Sequence, residues 1–151
     1  MDPLSTLNLL SEQMELEHAE ETHAGSEPAK PACFTPKEQR AVFVQPAHLP
    51  NGKQIKLLKT LLSSACERDC FYCPFRAGRD FRRATFKPQE FAELFMKLHQ
   101  SNAAQGIFLS SGIAAGGANT QNKILDTAEI LRNKLGFKGY LHLKIMPGAE
   151  K

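Results

Sequence analysis

Cys66, Cys70 and Cys73 stand within the stretch ACERDCFYCPF, spaced C-x3-C-x2-C, and are three of the chain's four cysteines. Thiolates are soft ligands that suit zinc, copper(I) or iron–sulfur clusters. A structural zinc site closes its shell with four ligands, usually supplied as two paired clusters. No fourth ligand follows Cys73 nearby, so Cys33, His48 or His99 would have to supply it from elsewhere in the chain. Three thiolates also satisfy a cubane of about four irons while leaving one iron without a protein ligand, open to a small molecule. The spacing alone therefore leaves zinc and an iron–sulfur cluster both open.

A second group of residues follows the cysteines. Arg76, Arg79, Arg82, Arg83 and Lys87 alternate with Phe75, Phe81 and Phe86. Basic side chains interleaved with aromatic rings can follow a nucleic-acid backbone and stack on its bases. The same run also reads as an ordinary solvated loop. Cys33, apart from the triad, reads as a small half-buried residue without a chemical role.

These residues need elements to position them, and from residue 53 onward the pattern is strand, helix, strand, helix, strand. The apolar run 55–63 predicts the first strand, ended by the cysteine loop. Residues 87–102 place Phe91, Leu94, Phe95 and Leu98 on one helical face, with Pro88 in the first turn. Residues 106–111 predict a second strand. Residues 119–136 predict a second helix, with Ile124, Ala128, Leu131 and Leu135 on one stripe. Asn119 or Thr120 is expected to cap it and Gly136 to end it. Residues 140–146 predict a third strand, stopped by Pro147-Gly148. This alternation predicts an α/β fold with a parallel sheet and right-handed crossovers. In such folds the chemistry gathers beyond the carboxyl ends of the strands. The cysteine loop, the stretch 110–117 and the stretch 146–151 all follow strands, so they are expected to share one rim.

Upstream, residues 3–20 predict a short helix with Leu4, Leu7 and Leu10 on one side. Residues 22–52 carry Pro28, Pro31, Pro36, Pro46 and Pro50 and are expected to lack regular structure over most of their length, as an ordered wrap or a flexible leader. The domain reading is thus a leader over 1–52 and a core over 53–151. The chain has 151 residues, 42% hydrophobic and 23% charged, with a net charge of +3. That composition is ordinary for a globular domain with a real core and permits an anionic partner without demanding one. No apolar run reaches membrane-spanning length, and the N-terminus lacks the basic and apolar regions of a secretory signal. The expected location is the cytoplasm, where clustered cysteines serve as metal ligands or catalytic groups more often than as disulfides.

The triad after the first strand, with aromatic Tyr72 before its last cysteine, resembles the radical S-adenosylmethionine (radical SAM) enzymes. The resemblance implies a [4Fe–4S] cluster on Cys66, Cys70 and Cys73 and S-adenosyl-L-methionine as second cofactor. It places Tyr72 beside the cofactor's adenine. It places a small-residue turn after the second strand at the methionyl amino group, here Ser110-Ser111-Gly112 instead of the commoner Gly-Gly-Glu. The stretches LLKTLLSSACERDCFYCPFR, RATF, FLSSGI and GYLHLKIMPGA are similar to radical SAM proteins described as DNA modification or repair enzymes, often encoded beside a uracil-DNA glycosylase-like protein. The match spans residues 53–151.

The family core is a partial TIM-like (β/α)6 barrel, and this chain supplies about three strand–helix units of it. The chain is therefore expected to be an N-terminal portion of a longer protein or a truncated product. In a half-open barrel His142 and Lys144 would line the interior beside the cofactor; on a bare sheet edge they would face solvent. The resemblance implies reductive cleavage of S-adenosylmethionine to a 5′-deoxyadenosyl radical, an external electron donor, a DNA or other nucleic-acid substrate and no membrane partner. Two other readings stand beside it: a zinc-stabilised nucleic-acid-binding module and an inactive fragment.

Overall fold

A hairpin opens the sheet. In this computed structural model, which describes residues 2–14 and 44–149, β1 (Val44–His48) folds back antiparallel onto β2 (Gln54–Leu61). Gly52 sits at φ +80°, a left-handed conformation that side chains resist. Its N–H donates to the Leu49 carbonyl at 2.9 Å, and Asn51 Oδ1 accepts from the Lys53 N–H at 3.0 Å. The Asn-Gly pair is therefore a hairpin turn and not a domain boundary.

This revises the expected leader over 1–52, a short helix followed by a mostly irregular Pro-rich segment, at its C-terminal end: residues 44–48 are part of the sheet. Among the described residues β1 is an edge strand, so the missing N–H of Pro46 interrupts no second ladder there. The segment holding Cys33, Pro28, Pro31 and Pro36 lies outside the described residues, as does the predicted helix beyond residue 14. Within that helix α1 spans Pro3–Met14. Asp2 caps it, accepting from the Ser5 N–H at 3.1 Å and from the Ser5 hydroxyl at 2.8 Å. Leu7, Leu10 and Met14 recur at helical spacing and are buried, and α1 packs on β2 and on the next helix.

The predicted alternation follows. α2 (Pro88–Gln100) joins β2 to β3 (Gly106–Ser110), and α3 (Gly117–Glu129) joins β3 to β4 (Tyr140–Leu143). β2, β3 and β4 are parallel, and the strand order is β1-β2-β3-β4. The fold is thus α/β with an open four-stranded sheet, mixed because of the hairpin. One face carries Leu58, Thr60, Ile107 and Leu109, all fully buried. Phe91, Phe95, Ile124 and Leu131 of the helical segments are buried to the same degree, and the Phe95 and Phe137 rings meet edge to face at 5.0 Å. Burying each such side chain stabilises the fold by roughly 1.5–3 kcal/mol.

Two boundaries differ from expectation for local reasons. Gly116, at φ +91°, caps α3; the Asn119 amide and Thr120 hydroxyl instead donate to the Ala115 and Gly116 carbonyls. At the other end the helix widens into a π turn over Ile130–Lys134. Gly136, at φ +69°, then ends it as predicted, with the Phe137 N–H closing onto the Leu131 carbonyl at 2.8 Å. The third strand stops at Leu143, so its two-residue alternation lapses. In a strand running to Met146, Ile145 would share a face with Leu141 and Leu143; it is instead 81% exposed, while Met146 turns in to 4%. The Gln121 side chain forces that bend by accepting the Met146 N–H at 2.7 Å. Among the described residues no helix is long and apolar enough to cross a membrane.

Candidate metal centre

The cysteines lie on an excursion between β2 and α2 that is closed at its base. The Phe86 N–H donates to the Leu62 carbonyl and the Ser64 N–H to the Ala84 carbonyl, at 2.8 and 2.9 Å. Ser63 and Thr85 form a β-bridge with their hydroxyls 2.7 Å apart. Residues 65–83 therefore leave and re-enter the sheet at one point, directly beyond the carboxyl end of β2.

Inside the excursion, Arg83 is the organising side chain. One guanidinium nitrogen donates to the Ser64 and Phe75 carbonyls at 2.7 and 3.0 Å. The other donates to the Arg76 and Arg79 carbonyls at 2.8 and 3.0 Å. The guanidinium also lies 4.0 Å from the centre of the Phe81 ring. Asp69 accepts the Gly78 N–H at 3.0 Å and lies 3.9 Å from Arg76, while the Ala77 N–H donates to the Arg68 carbonyl. The basic–aromatic run is thereby partly reassigned. Phe75 and Phe86 are buried and Phe81 is half-buried against Arg83, so these rings hold the loop together and are not free to stack on bases.

The three rim segments meet. The Gly112 N–H donates to the Ser63 carbonyl at 2.7 Å, and the Glu67 N–H to the Ile113 carbonyl at 2.7 Å. A Cβ on Gly112 would run into the Ala65 carbonyl oxygen and come within 3.3 Å of the Cys66 Cβ. The turn after β3 thus rests against the start of the cysteine loop, at a distance that only glycine allows. Glu67 Oε1 accepts the Gly116 N–H at 3.0 Å, placing a carboxylate at the positive end of α3. The segment after β4 closes the group: Gly117 lies against Pro147 and Gly148, and Gly148 lies against Arg68.

The predicted site residues are placed as follows. Cys66 and Cys73 are half-buried, Cys70 is exposed, and all three are free thiols. The Cys73 N–H donates to the Cys70 carbonyl at 3.0 Å, so Cys70 to Cys73 form a tight turn with Tyr72 on its outer side, 89% exposed. Ser110 is buried, and the Ser111 hydroxyl donates to the Gly112 carbonyl at 2.7 Å. His142 is exposed, its ring 4.6 Å edge-on from Phe108 and its Nδ1 3.3 Å from the Tyr140 hydroxyl. Lys144 is half-buried, and burial lowers its pKa from the ordinary 10.5.

The donor set fits a cluster: three soft thiols on one short loop, none spent in a disulfide. The loop's present course does not converge them, and among the described residues no three His, Cys, Asp or Glu side chains are arranged around a common metal position. Nor do the described histidines complete a zinc shell. His48 ends β1 opposite Gln54, at the far end of β2 from the cysteines, roughly 20 Å along the strand. His99 is committed to the core, its Nδ1 2.9 Å from the Ala104 carbonyl and its ring between Phe95 and Phe137.

Glu67 and Gln121 carry no signal in the sequence, while Arg83 stands there only as one of the basic run and Gly117 only as the end of the 110–117 stretch. Nothing in their spacing marks the contacts they make, which only the fold brings near. No family model, curated protein or solved structure matches the chain.

Proposed function

We propose that this chain carries the cofactor-binding part of a radical SAM enzyme, with Cys66, Cys70 and Cys73 holding a [4Fe–4S] cluster. The observation that supports this most is the contact between the Ser110-Ser111-Gly112 turn and the cysteine loop at Ala65 and Cys66. Two stretches far apart in sequence, each expected to touch the same cofactor, touch one another.

Bound there, the cluster would supply one electron for cleaving the sulfonium bond of S-adenosylmethionine. The chain's own residues do the rest. Gly112, lacking a Cβ, lets the β3 turn approach the thiols. Tyr72 presents a ring that can cover an adenine face. Lys144 would offer the cofactor a cation and His142 a ring nitrogen. Arg83 and Glu67 position the loop without contacting the cofactor.

The wider reading rests on the sequence resemblance. In it the open sheet is the first part of a (β/α)6 half-barrel in a cytoplasmic protein. The substrate is DNA or another nucleic acid, the partner is a uracil-DNA glycosylase-like protein, and electrons come from an external donor. The test is spectroscopic. After anaerobic reconstitution, S-adenosylmethionine should change the electron paramagnetic resonance spectrum of the reduced protein. Tyr72→Ala should weaken that change without loss of iron. A spectrum unmoved at saturating cofactor would count against an open iron.

A further inference from the structure

Phe71 is 94% exposed, the most exposed large hydrophobic side chain among the described residues, and it is not needed for any packing described above. It stands beside Tyr72 at the apex of the Cys70–Cys73 turn. The chain on either side is pinned: Ala77 bonds back to Arg68, and Arg83 gathers the carbonyls of Phe75, Arg76 and Arg79. Two adjacent aromatic rings are therefore held outward on a fixed base, an arrangement that leaves apolar area in water at a real cost.

The charge around that base is predominantly positive. From Cys66 to Lys87 the chain has Arg68, Arg76, Arg79, Arg82, Arg83 and Lys87 against Glu67, Asp69 and Asp80. Glu67 is engaged with the Gly116 N–H, and Asp69 with the Gly78 N–H and Arg76. Arg68 and Arg79, which flank the aromatic tip in sequence, are exposed, and the Arg79 guanidinium donates to the Pro74 carbonyl at 3.3 Å. Aromatic faces flanked by guanidinium groups suit a ligand with alternating flat rings and anionic links. In a duplex the base faces are already stacked on one another; in a single strand they are available.

We propose that the excursion over residues 68–79 is a stacking platform for single-stranded nucleic acid. Phe71 stacks on an unpaired base, and Arg68 and Arg79 neutralise the phosphates beside it. The proposal deepens the reading above and rests on it for the choice of nucleic acid as substrate. It also divides the tip: Tyr72 serves the cofactor and Phe71 the substrate strand.

The test is fluorescence anisotropy with the full chain, both before and after cluster reconstitution. The probe is a fluorescein-labelled oligothymidylate. A duplex of the same length and an unlabelled polyglutamate serve as competitors. The oligothymidylate should bind, and both competitors should displace it poorly. Phe71→Ala should weaken binding by roughly five- to hundredfold with no change in thermal unfolding, because the side chain touches little. Arg68→Gln and Arg79→Gln should each lower the slope of log affinity against log salt by about 0.7.

Equal binding by Phe71→Ala, or displacement by duplex as effective as by single strand, would overturn the platform. Effective displacement by polyglutamate would overturn it in favour of an acidic protein partner. Phe71-dependent binding by protein that takes up no iron would keep the platform and discard the cluster. A cluster that assembles in protein blind to the oligonucleotide would do the reverse.

Discussion

The sheet with its helices and the excursion over residues 65–83 are held by different forces. The first is dry and apolar: Leu58, Ile107, Leu109, Phe95 and Leu131 are fully buried and contribute through area removed from water. The second is pinned by polar contacts to backbone, chiefly from Arg83 and Asp69, while Cys70, Phe71 and Tyr72 face solvent. Apolar packing is non-directional and tolerates exchange among side chains of similar volume. Guanidinium-to-carbonyl bonds are directional and leave thiols and rings free to meet a ligand. One region therefore stores stability and the other stores geometry, and mutations should separate them.

The largest effect is expected in the first region. Phe95→Ala removes a ring that meets Phe137 and His99 and leaves a cavity in the core. It should cost about 3–5 kcal/mol, read as a fall in the urea midpoint, with the excursion lost only because the whole fold is lost. Arg83→Met should act the other way round. It strips charged donors from the carbonyls of Ser64, Phe75, Arg76 and Arg79. The loss is about 1.5–3 kcal/mol, and it should appear as protease cleavage within 65–83 while the urea midpoint moves less than in Phe95→Ala. Equal midpoint shifts with no local cleavage would erase the distinction between the regions.

The smallest effect concerns Lys144, at the border of the two. Its pKa is lowered by burial, so the folded protein holds that proton less tightly than the unfolded chain. Stability should rise as pH climbs from the lowered value toward 10.5, where the unfolded chain still carries the proton. Lys144→Met should abolish that rise, and urea unfolding across alkaline pH would show it.

Legibility in the sequence follows the same division. The helices and parallel strands were readable because apolar side chains recur at the period of each element, as Phe91, Leu94, Phe95 and Leu98 do along α2. β1 was missed because Pro46 and Pro50 outweighed the Asn51-Gly52 turn signal, and an edge strand tolerates proline. The thiols stand out by type and spacing, and the Ser110-Ser111-Gly112 turn by its place after a strand and by the family resemblance. The clamping roles of Arg83 and Glu67 do not, since a clamp on backbone carbonyls or on a helix end leaves no pattern in side-chain order. The phenylalanines of the basic run misled for a related reason: interleaving with arginine looks the same whether a ring faces water, as Phe71 does, or the core, as Phe86 does.

The central claim is that the excursion presents three thiols to an iron–sulfur cluster, and metal content tests it most directly. Purified and reconstituted without oxygen, the full chain should hold about four irons and four sulfides, and Cys70→Ala should hold almost none while keeping its urea midpoint. Stoichiometric zinc with no retained iron would contradict the account.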